Sequence, residues 1–188
     1  MKPRDEGKAR DILAATLKEV ASVGLAGLSM EAVARRAEVA TGTVYIYFKN
    51  KESLINALYG ATKSELAGLV VDVEGLPVRV AFSRTCIALL EYVAENGDKI
   101  VFMSQVANSP LLSEKTKKEG AVGLDSLSAL LERGKRELLL KDLETPFMFA
   151  FLQAALRGLA QAAPSESRAE RARRFELIAS LCWDALKA

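Results

Sequence analysis

The chain has 188 residues, enough for one or two compact domains with a hydrophobic core. Half of its residues are hydrophobic and 27% are charged, and the net charge of +2 is too small to indicate nucleic-acid binding by itself. The chain contains no histidine, which is the most common general base and transition-metal ligand in proteins. The composition therefore disfavours an enzyme, and we expect no catalytic residues, no metal and no cofactor.

Two cysteines, Cys86 and Cys182, stand singly within apolar helical patterns, which is typical of buried thiols in a reducing compartment. A redox-sensing role for Cys86 is an unsupported alternative, since no resolving cysteine lies near it in the sequence. The sequence has neither a secretory signal nor an apolar run that could span a bilayer. We therefore expect a cytoplasmic protein that does not interact with membranes.

Apolar residues recur at helical spacing along the N-terminal part of the chain. A first helix is predicted over residues 9–23, ended by Gly24, and Ser29 is predicted to cap a second helix over 30–36. A third helix is predicted over 41–47, after a tight turn. Two short helices joined by such a turn, the second one starting with small polar residues, are typical of a helix-turn-helix motif.

The rest of the chain is also predicted to be helical. Asn50 is predicted to cap a fourth helix over 51–70, and a loop over 72–77 follows it. The lysine-rich segment 113–123 contains two glycines and is predicted to be irregular. Further helices are predicted over 78–95, 98–106, 124–140, 146–162 and 166–186, the last two capped at Thr145 and at Pro164 and Ser165.

Small polar residues at the start of the third helix indicate contact with DNA. The major groove admits one helix, whose N-terminal side chains reach the base edges. Thr41 and Thr43 have hydroxyls and methyl groups that can contact bases, and Gly42 allows the backbone to approach closely. Tyr45 and Tyr47 each have a phenol that can bind a phosphate.

The charge distribution of the N-terminal part also fits a phosphate-binding surface. Lys51 lies in the first turn of the fourth helix, where an acid would be favourable, so a cation there indicates a bound anion. Ser29 can act in the same way at the start of the second helix. Residues 1–51 contain nine Lys or Arg and six Asp or Glu, a net +3, whereas the remainder contains seventeen and eighteen, a net −1.

The segment 28–54 resembles the DNA-binding domain of the TetR (tetracycline repressor) family. The family pattern includes a Gly-Thr-Leu-Tyr-x-x-Phe recognition helix and a Lys-Glu-x-Leu helix start, which residues 42–48 and 51–54 match closely. The resemblance extends over about residues 9–60.

The resemblance implies an all-α protein with two domains. An N-terminal three-helix helix-turn-helix DNA-binding domain is expected at residues 1–50, and a C-terminal helical ligand-binding and dimerisation domain at residues 51–188. The fourth helix, at about residues 51–70, is expected to link the two domains.

The resemblance also implies which residues contact DNA: Ser29, Ala40, Thr41, Gly42, Thr43, Tyr45, Tyr47 and Lys51. The residues at 41–43 would face the major groove and the tyrosines and the lysine would hold phosphates, while Val44 and Phe48 would be core. Glu38 replaces the usual turn glycine, so we expect a different turn geometry. Ala40 replaces the usual capping serine, which removes a helix cap worth about 1 kcal/mol.

In the C-terminal part, the resemblance implies an effector cavity in the middle helices and a dimer interface formed by the last two helices. The candidate cavity residues are Phe82, Cys86, Phe102, Met103 and Phe149. Most of these are expected to be ordinary core residues, and which of them line a cavity stays open. The candidate interface residues are Ala154, Ala155, Gly158, Phe175, Ile178 and Cys182.

These features predict a homodimeric transcription regulator, acting as a repressor on a near-palindromic operator in double-stranded DNA and released by a small apolar or amphipathic effector. Two alternatives stay open. An effector-independent architectural DNA-binding protein would have a filled core without a cavity. A small-molecule-binding protein or enzyme with a vestigial N-terminal domain is disfavoured by the missing histidine and the intact motif.

Overall fold

The computed structural model describes residues 6–70, 75–122, 125–161 and 167–188. These residues form ten α-helices without any β-strand among them, which confirms the predicted all-α fold class. The helices are α1 (Glu6–Gly27), α2 (Met30–Arg36), α3 (Thr41–Tyr47), α4 (Lys51–Ala67), α5 (Val78–Glu95), α6 (Gly97–Val106), α7 (Glu114–Val122), α8 (Asp125–Arg136), α9 (Thr145–Gln161) and α10 (Arg168–Leu186). Among the described helices, none has the length and apolar character that crossing a membrane requires.

The chain divides into two compact units. The first unit is formed by Met1–Ser64 and Gly97–Ala121, and the second by Glu65–Asn96 and Val122–Ala188. Helices α6 and α7 therefore belong to the same unit as the N-terminal helices. The compact units thus differ from the predicted functional division after residue 50, which stays a prediction.

The first unit is held together by an apolar core and by a partly buried ion pair between α1 and α2. The core contains fully buried side chains from α1, α2, α3, α4 and α6: Ile12, Val20, Val33, Val44, Leu54, Ile55 and Phe102. The buried Glu19 of α1 accepts a hydrogen bond from the Arg36 Nε of α2 at 2.7 Å. The first helix breaks at Gly24, as predicted, but one further helical turn follows this left-handed residue (φ 71°) and extends α1 to Gly27.

The second unit has its own core, which contains side chains of α5, α8, α9 and α10. Phe82 and Trp183 meet edge to face, with ring centroids 5.4 Å apart. Gly134 in the last turn of α8 is required by packing, because an added Cβ would lie 2.5 Å from Leu140 Cδ1. The second unit is therefore assembled by contacts between residues that are distant in the sequence.

The predicted irregular segment at 113–123 is wrong, since α7 covers Glu114–Val122. Ser113 stabilises its first turn, because its Oγ accepts a hydrogen bond from Thr116 N at 3.1 Å. Gly120 does not end the helix but packs against Tyr59 of α4, where an added Cβ would lie 3.0 Å from the Tyr59 ring. Tertiary packing has therefore overridden the weak helix propensity of a glycine.

The predicted end of α8 and the predicted start of α10 also differ from the structure. Helix α8 ends at Arg136 rather than at 140, because Leu138 adopts a left-handed conformation (φ 56°) and Leu139 N donates to Gly134 O at 2.9 Å. Helix α10 begins at Arg168, where Ser167 and Glu170 form a reciprocal capping box. The predicted cap at Pro164 and Ser165 lies outside the described residues.

Candidate nucleic-acid interface

Helix α2 starts as predicted, at the residue after Ser29. Ser29 has an extended backbone, and its Oγ accepts a hydrogen bond from Ala32 N at 3.1 Å. A hydroxyl that accepts this bond keeps a proton that it can donate to another acceptor. Ser29 therefore caps α2 and still has the chemistry to bind a phosphate oxygen.

The turn between α2 and α3 is a Schellman motif with a glutamate at the left-handed position. Glu38 has a φ of 55°. Its N–H donates to Arg35 O at 3.3 Å, and Val39 N–H donates to Ala34 O at 3.0 Å. The expectation of a different turn geometry is therefore wrong, because Glu38 adopts the conformation that a glycine favours, at a cost of about 1–2 kcal/mol.

Helix α3 is short and has a buried side and an exposed side. Val44 is completely buried and the C-cap residue Phe48 is buried as well, as predicted for core residues. Gly42 and Tyr45 are exposed on the other side, together with Ile46, whose side chain is 61% exposed. Ile46 was not among the DNA-contact residues predicted from the sequence, although it stands four residues after Gly42, the spacing of residues on one helix face.

The other predicted DNA-contact residues lie around this exposed side. Thr41, Thr43 and Tyr47 are half-buried, and Ala40 is exposed. Ala40 holds the N-cap position without any side-chain cap, as the sequence predicts, and Thr43 N–H donates to the Ala40 carbonyl at 2.8 Å. The hydroxyl groups of α3 are thus not needed for capping this helix.

Helix α4 begins with a reciprocal cap that positions Lys51. Ser53 N–H donates to Asn50 Oδ1 at 2.7 Å, and Asn50 N–H donates to Ser53 Oγ at 3.1 Å. The half-buried Lys51 follows directly as the first residue of α4. A cation is therefore held beside the N-terminal end of a 17-residue helix, where the macrodipole favours an anion.

The surroundings of α3 are compatible with a polyanion. Helix α3 itself contains no charged residue. Arg35, Lys49 and Lys51 follow or precede it closely, and the first two are exposed. Arg36 is instead used for the ion pair with Glu19. The arrangement can place an uncharged helix face on bases while neighbouring cations contact phosphates.

The five candidate cavity residues belong to two different cores. Phe82, Cys86 and Phe149 are part of the apolar cluster of the second unit, whereas Phe102 and Met103 are part of that of the first unit. Burial, with a smaller effect of the neighbouring Cys182, raises the pKa of the Cys86 thiol well above its ordinary value. Because a thiolate is the reactive form, this burial argues against a redox role for Cys86.

The candidate interface residues on α10 require a correction. Phe175, Ile178 and Cys182 are almost completely buried in the core of the second unit, so their side chains have no surface to offer to a second copy. On α9, Ala154 and Gly158 are exposed and Ala155 is half-buried. Large apolar side chains that were not predicted to be interface residues are exposed on these two helices: Phe147, Phe151, Leu159, Leu177 and Leu181. Helical spacing alone did not reveal which face of α10 points outward.

Comparisons with known proteins agree with this geometry. Residues 12–58 match the family model described as bacterial regulatory proteins, tetR family. A curated relative from Haemophilus influenzae, an uncharacterised helix-turn-helix-type transcriptional regulator, is 49% identical over 47 residues, which is 25% of this chain and 25% of that protein. The matched region therefore spans about a quarter of the relative's length.

The similarity to solved structures extends over the whole chain. A TetR-family transcription regulator from Marinobacter aquaeolei VT8 has a TM-score of 0.86 at 22% identity, covering 100% of this chain and 99% of that one. A TetR-family transcriptional regulator from Haemophilus influenzae Rd has a TM-score of 0.82 at 22% identity and covers 100% of both chains. At this level of identity, the similarity shows the fold.

The fold and the exposed α3 define a protein of the helix-turn-helix DNA-binding class. Within that class the predicted resemblance is confirmed: residues 12–58 are a DNA-binding domain of the TetR family, and the chain has the fold of TetR-family regulators. This family consists of DNA-binding regulators rather than enzymes, in agreement with the expectation from the missing histidine.

Proposed function

We propose that the chain is a ligand-responsive transcription regulator, acting as a repressor that binds a near-palindromic operator as a homodimer. The observation that supports DNA binding most directly is the exposed side of α3, with Gly42 and Tyr45 on an uncharged helix and Lys51 at the start of the next one. This arrangement matches a helix that enters the major groove while flanking groups hold phosphates.

An exposed apolar stripe on α9 supports the dimer. Phe147, Phe151, Ala154 and Gly158 are all exposed and share one face of the helix, with large side chains at one end and small ones at the other. Leu177 and Leu181 are exposed one turn apart on α10. A two-fold axis would bring this surface against its own copy, so that large side chains meet small ones.

We include a small-molecule effector in the proposal because α4 contributes residues to both compact units. Helix α4 starts in the first unit with Lys51, a proposed phosphate contact, and its last residues belong to the second unit. A small apolar or amphipathic molecule that binds differently to two positions of α4 would change the affinity for DNA. Phe82 and Phe149 remain proposed wall residues for such a molecule in the second unit.

The DNA-binding proposal is tested by selecting duplexes from a random pool with the full-length protein. We expect a near-palindromic site whose half-sites are about 34–36 Å apart, one turn of DNA, or a little more. On that site, Tyr45→Ala and Lys51→Ala should each weaken binding by about tenfold. In Lys51→Ala, the slope of log K against the logarithm of the salt concentration should also become smaller in magnitude by about 1. The matched control is Lys115→Ala on α7, whose side chain is 83% exposed. Unchanged affinity in the Tyr45 and Lys51 variants would contradict the proposed interface.

A further inference from the structure

An aliphatic side chain is exposed in the middle of the proposed DNA-contacting surface. Ile46 is 61% exposed on a helix of seven residues, and Tyr45 beside it is 46% exposed. A single exposed isoleucine is common on protein surfaces and does not define a site by itself. Ile46 becomes informative because a second residue on the same face of α3 is also unexplained by folding.

That second residue is Gly42, one helical turn before Ile46. A glycine within a helix costs about 1 kcal/mol relative to alanine. Nothing in the described chain requires this glycine, because an added Cβ would meet no atom within 4 Å, and its φ is not in the left-handed region. One exposed face of this short helix thus contains a largely uncovered apolar side chain and a glycine that no packing contact requires. Both are explained if another molecule approaches this face closely.

The chemistry of the groove selects the partner of Ile46. The base edges in the major groove present hydrogen-bond donors and acceptors and one apolar group, the C5-methyl of thymine. An aliphatic side chain has no hydrogen-bonding group, so this methyl is the favourable partner for it there. The hydroxyls of Thr41 and Thr43 and the cations near α3 fit DNA better than an apolar protein surface.

We propose that Ile46 contacts the C5-methyl group of a thymine in each operator half-site, and that Gly42 allows the backbone of α3 to come close enough for this contact. The proposal rests on the proposed function, since it requires α3 to lie in the major groove. Ile46 is then a specificity-determining residue, and the half-site contains an A·T pair opposite the C-terminal end of α3.

The test replaces thymines of the selected operator one at a time by deoxyuridine, which removes only the methyl group. At one half-site position we expect the wild-type protein to bind about fourfold more weakly, the worth of one buried methyl group. In the Ile46→Ala variant the same replacement should have no effect at that position, while any other methyl-sensitive position stays sensitive. Ile46→Val, which keeps a β-branched side chain, should retain the sensitivity.

The possible outcomes separate this inference from the proposed function. If wild-type protein selects a site but Ile46→Ala keeps the full sensitivity at every thymine, or if no thymine is sensitive, the Ile46 contact is refuted while DNA binding by α3 stands. If wild-type protein selects no duplex sequence, the proposed function fails and the inference fails with it. Circular dichroism of Ile46→Ala provides the folding control, and alanine is a better helix former than isoleucine.

Discussion

Helices α3 and α9 expose apolar side chains to the same extent but in different surroundings. Ile46 on α3 is 61% exposed and Phe147 on α9 is 62% exposed. Beside Ile46 lie threonines, a tyrosine and the exposed Lys49, whereas the face of Phe147 continues with Phe151 and small residues. The exposure of one side chain therefore says little about its partner. The neighbouring side chains distinguish a surface for a polyanion from a surface for a second protein copy.

The two regions also differ in how their exposed residues are positioned. In the helix-turn-helix, each helix end is set by contacts within a few residues, such as the Ser29 cap and the turn at Glu38. On α9 and α10, the outward face is set by which residues pack into a core formed with α5 and α8. Substitutions of exposed residues on α10 should therefore mainly weaken the association of two copies of the chain. Substitutions at the helix ends of the helix-turn-helix should mainly change the free energy of unfolding.

The largest effect is expected for Leu177→Arg combined with Leu181→Arg on α10. Both side chains are exposed, so the fold should persist, but like charges would face each other across a two-fold interface at a cost of several kcal/mol. The dimer should weaken roughly 100-fold or more, measured by analytical ultracentrifugation. The control is Val101→Arg on α6, where the replaced residue is apolar and similarly exposed. This variant should keep the dimer mass that the wild-type protein has in the ultracentrifuge. An intact dimer in the double variant would show that α10 does not form the interface.

A smaller effect, on stability, is expected for Arg36→Met. The substitution leaves the buried Glu19 carboxylate without its partner at 2.7 Å. Because the Arg36 side chain is 39% exposed, the loss should be smaller than for a fully buried pair, about 1–3 kcal/mol in the free energy of unfolding. Urea denaturation measures it, and Arg35→Met on the exposed neighbouring residue is the matched control. Equal losses in both variants would show that the ion pair does not join α1 to α2.

The smallest effect is expected for Glu38→Gly. Glycine adopts the left-handed conformation of residue 38 without a Cβ clash, but its unfolded state has more conformational entropy, so the net gain should be about 0.5–1 kcal/mol. Leu138→Gly, at φ 56° after α8, is the equivalent change in the second unit and should act in the same direction. Ala37→Gly, at φ −84°, should instead destabilise the protein. The unfolding temperature shows whether each variant is more or less stable than the wild-type protein. A Glu38→Gly variant that unfolds at a lower temperature would contradict the inference that the turn is strained at residue 38.

Much of the first unit could be predicted because its signals are local. The bounds of α2 and α3 and the Ser29 cap follow from residues within one or two turns of each other. The α7 helix could not be predicted in this way, since its Gly120 is accommodated by Tyr59, about sixty positions away in the chain. Ile46 was missed although its signal is local, since Val44 and Phe48, which fill the core from the opposite side of α3, were both predicted to be core.

The sequence by itself determined the helical class, the helix-turn-helix and the family to which residues 12–58 belong. These properties depend on periodicity, caps and a short motif, all of which act over a few residues. The tertiary structure decided which apolar side chains are core and which are surface. Phe175 and Leu177 are both apolar residues of α10, yet one is buried and the other is 59% exposed. That difference is set by the packing of α10 on helices distant in sequence.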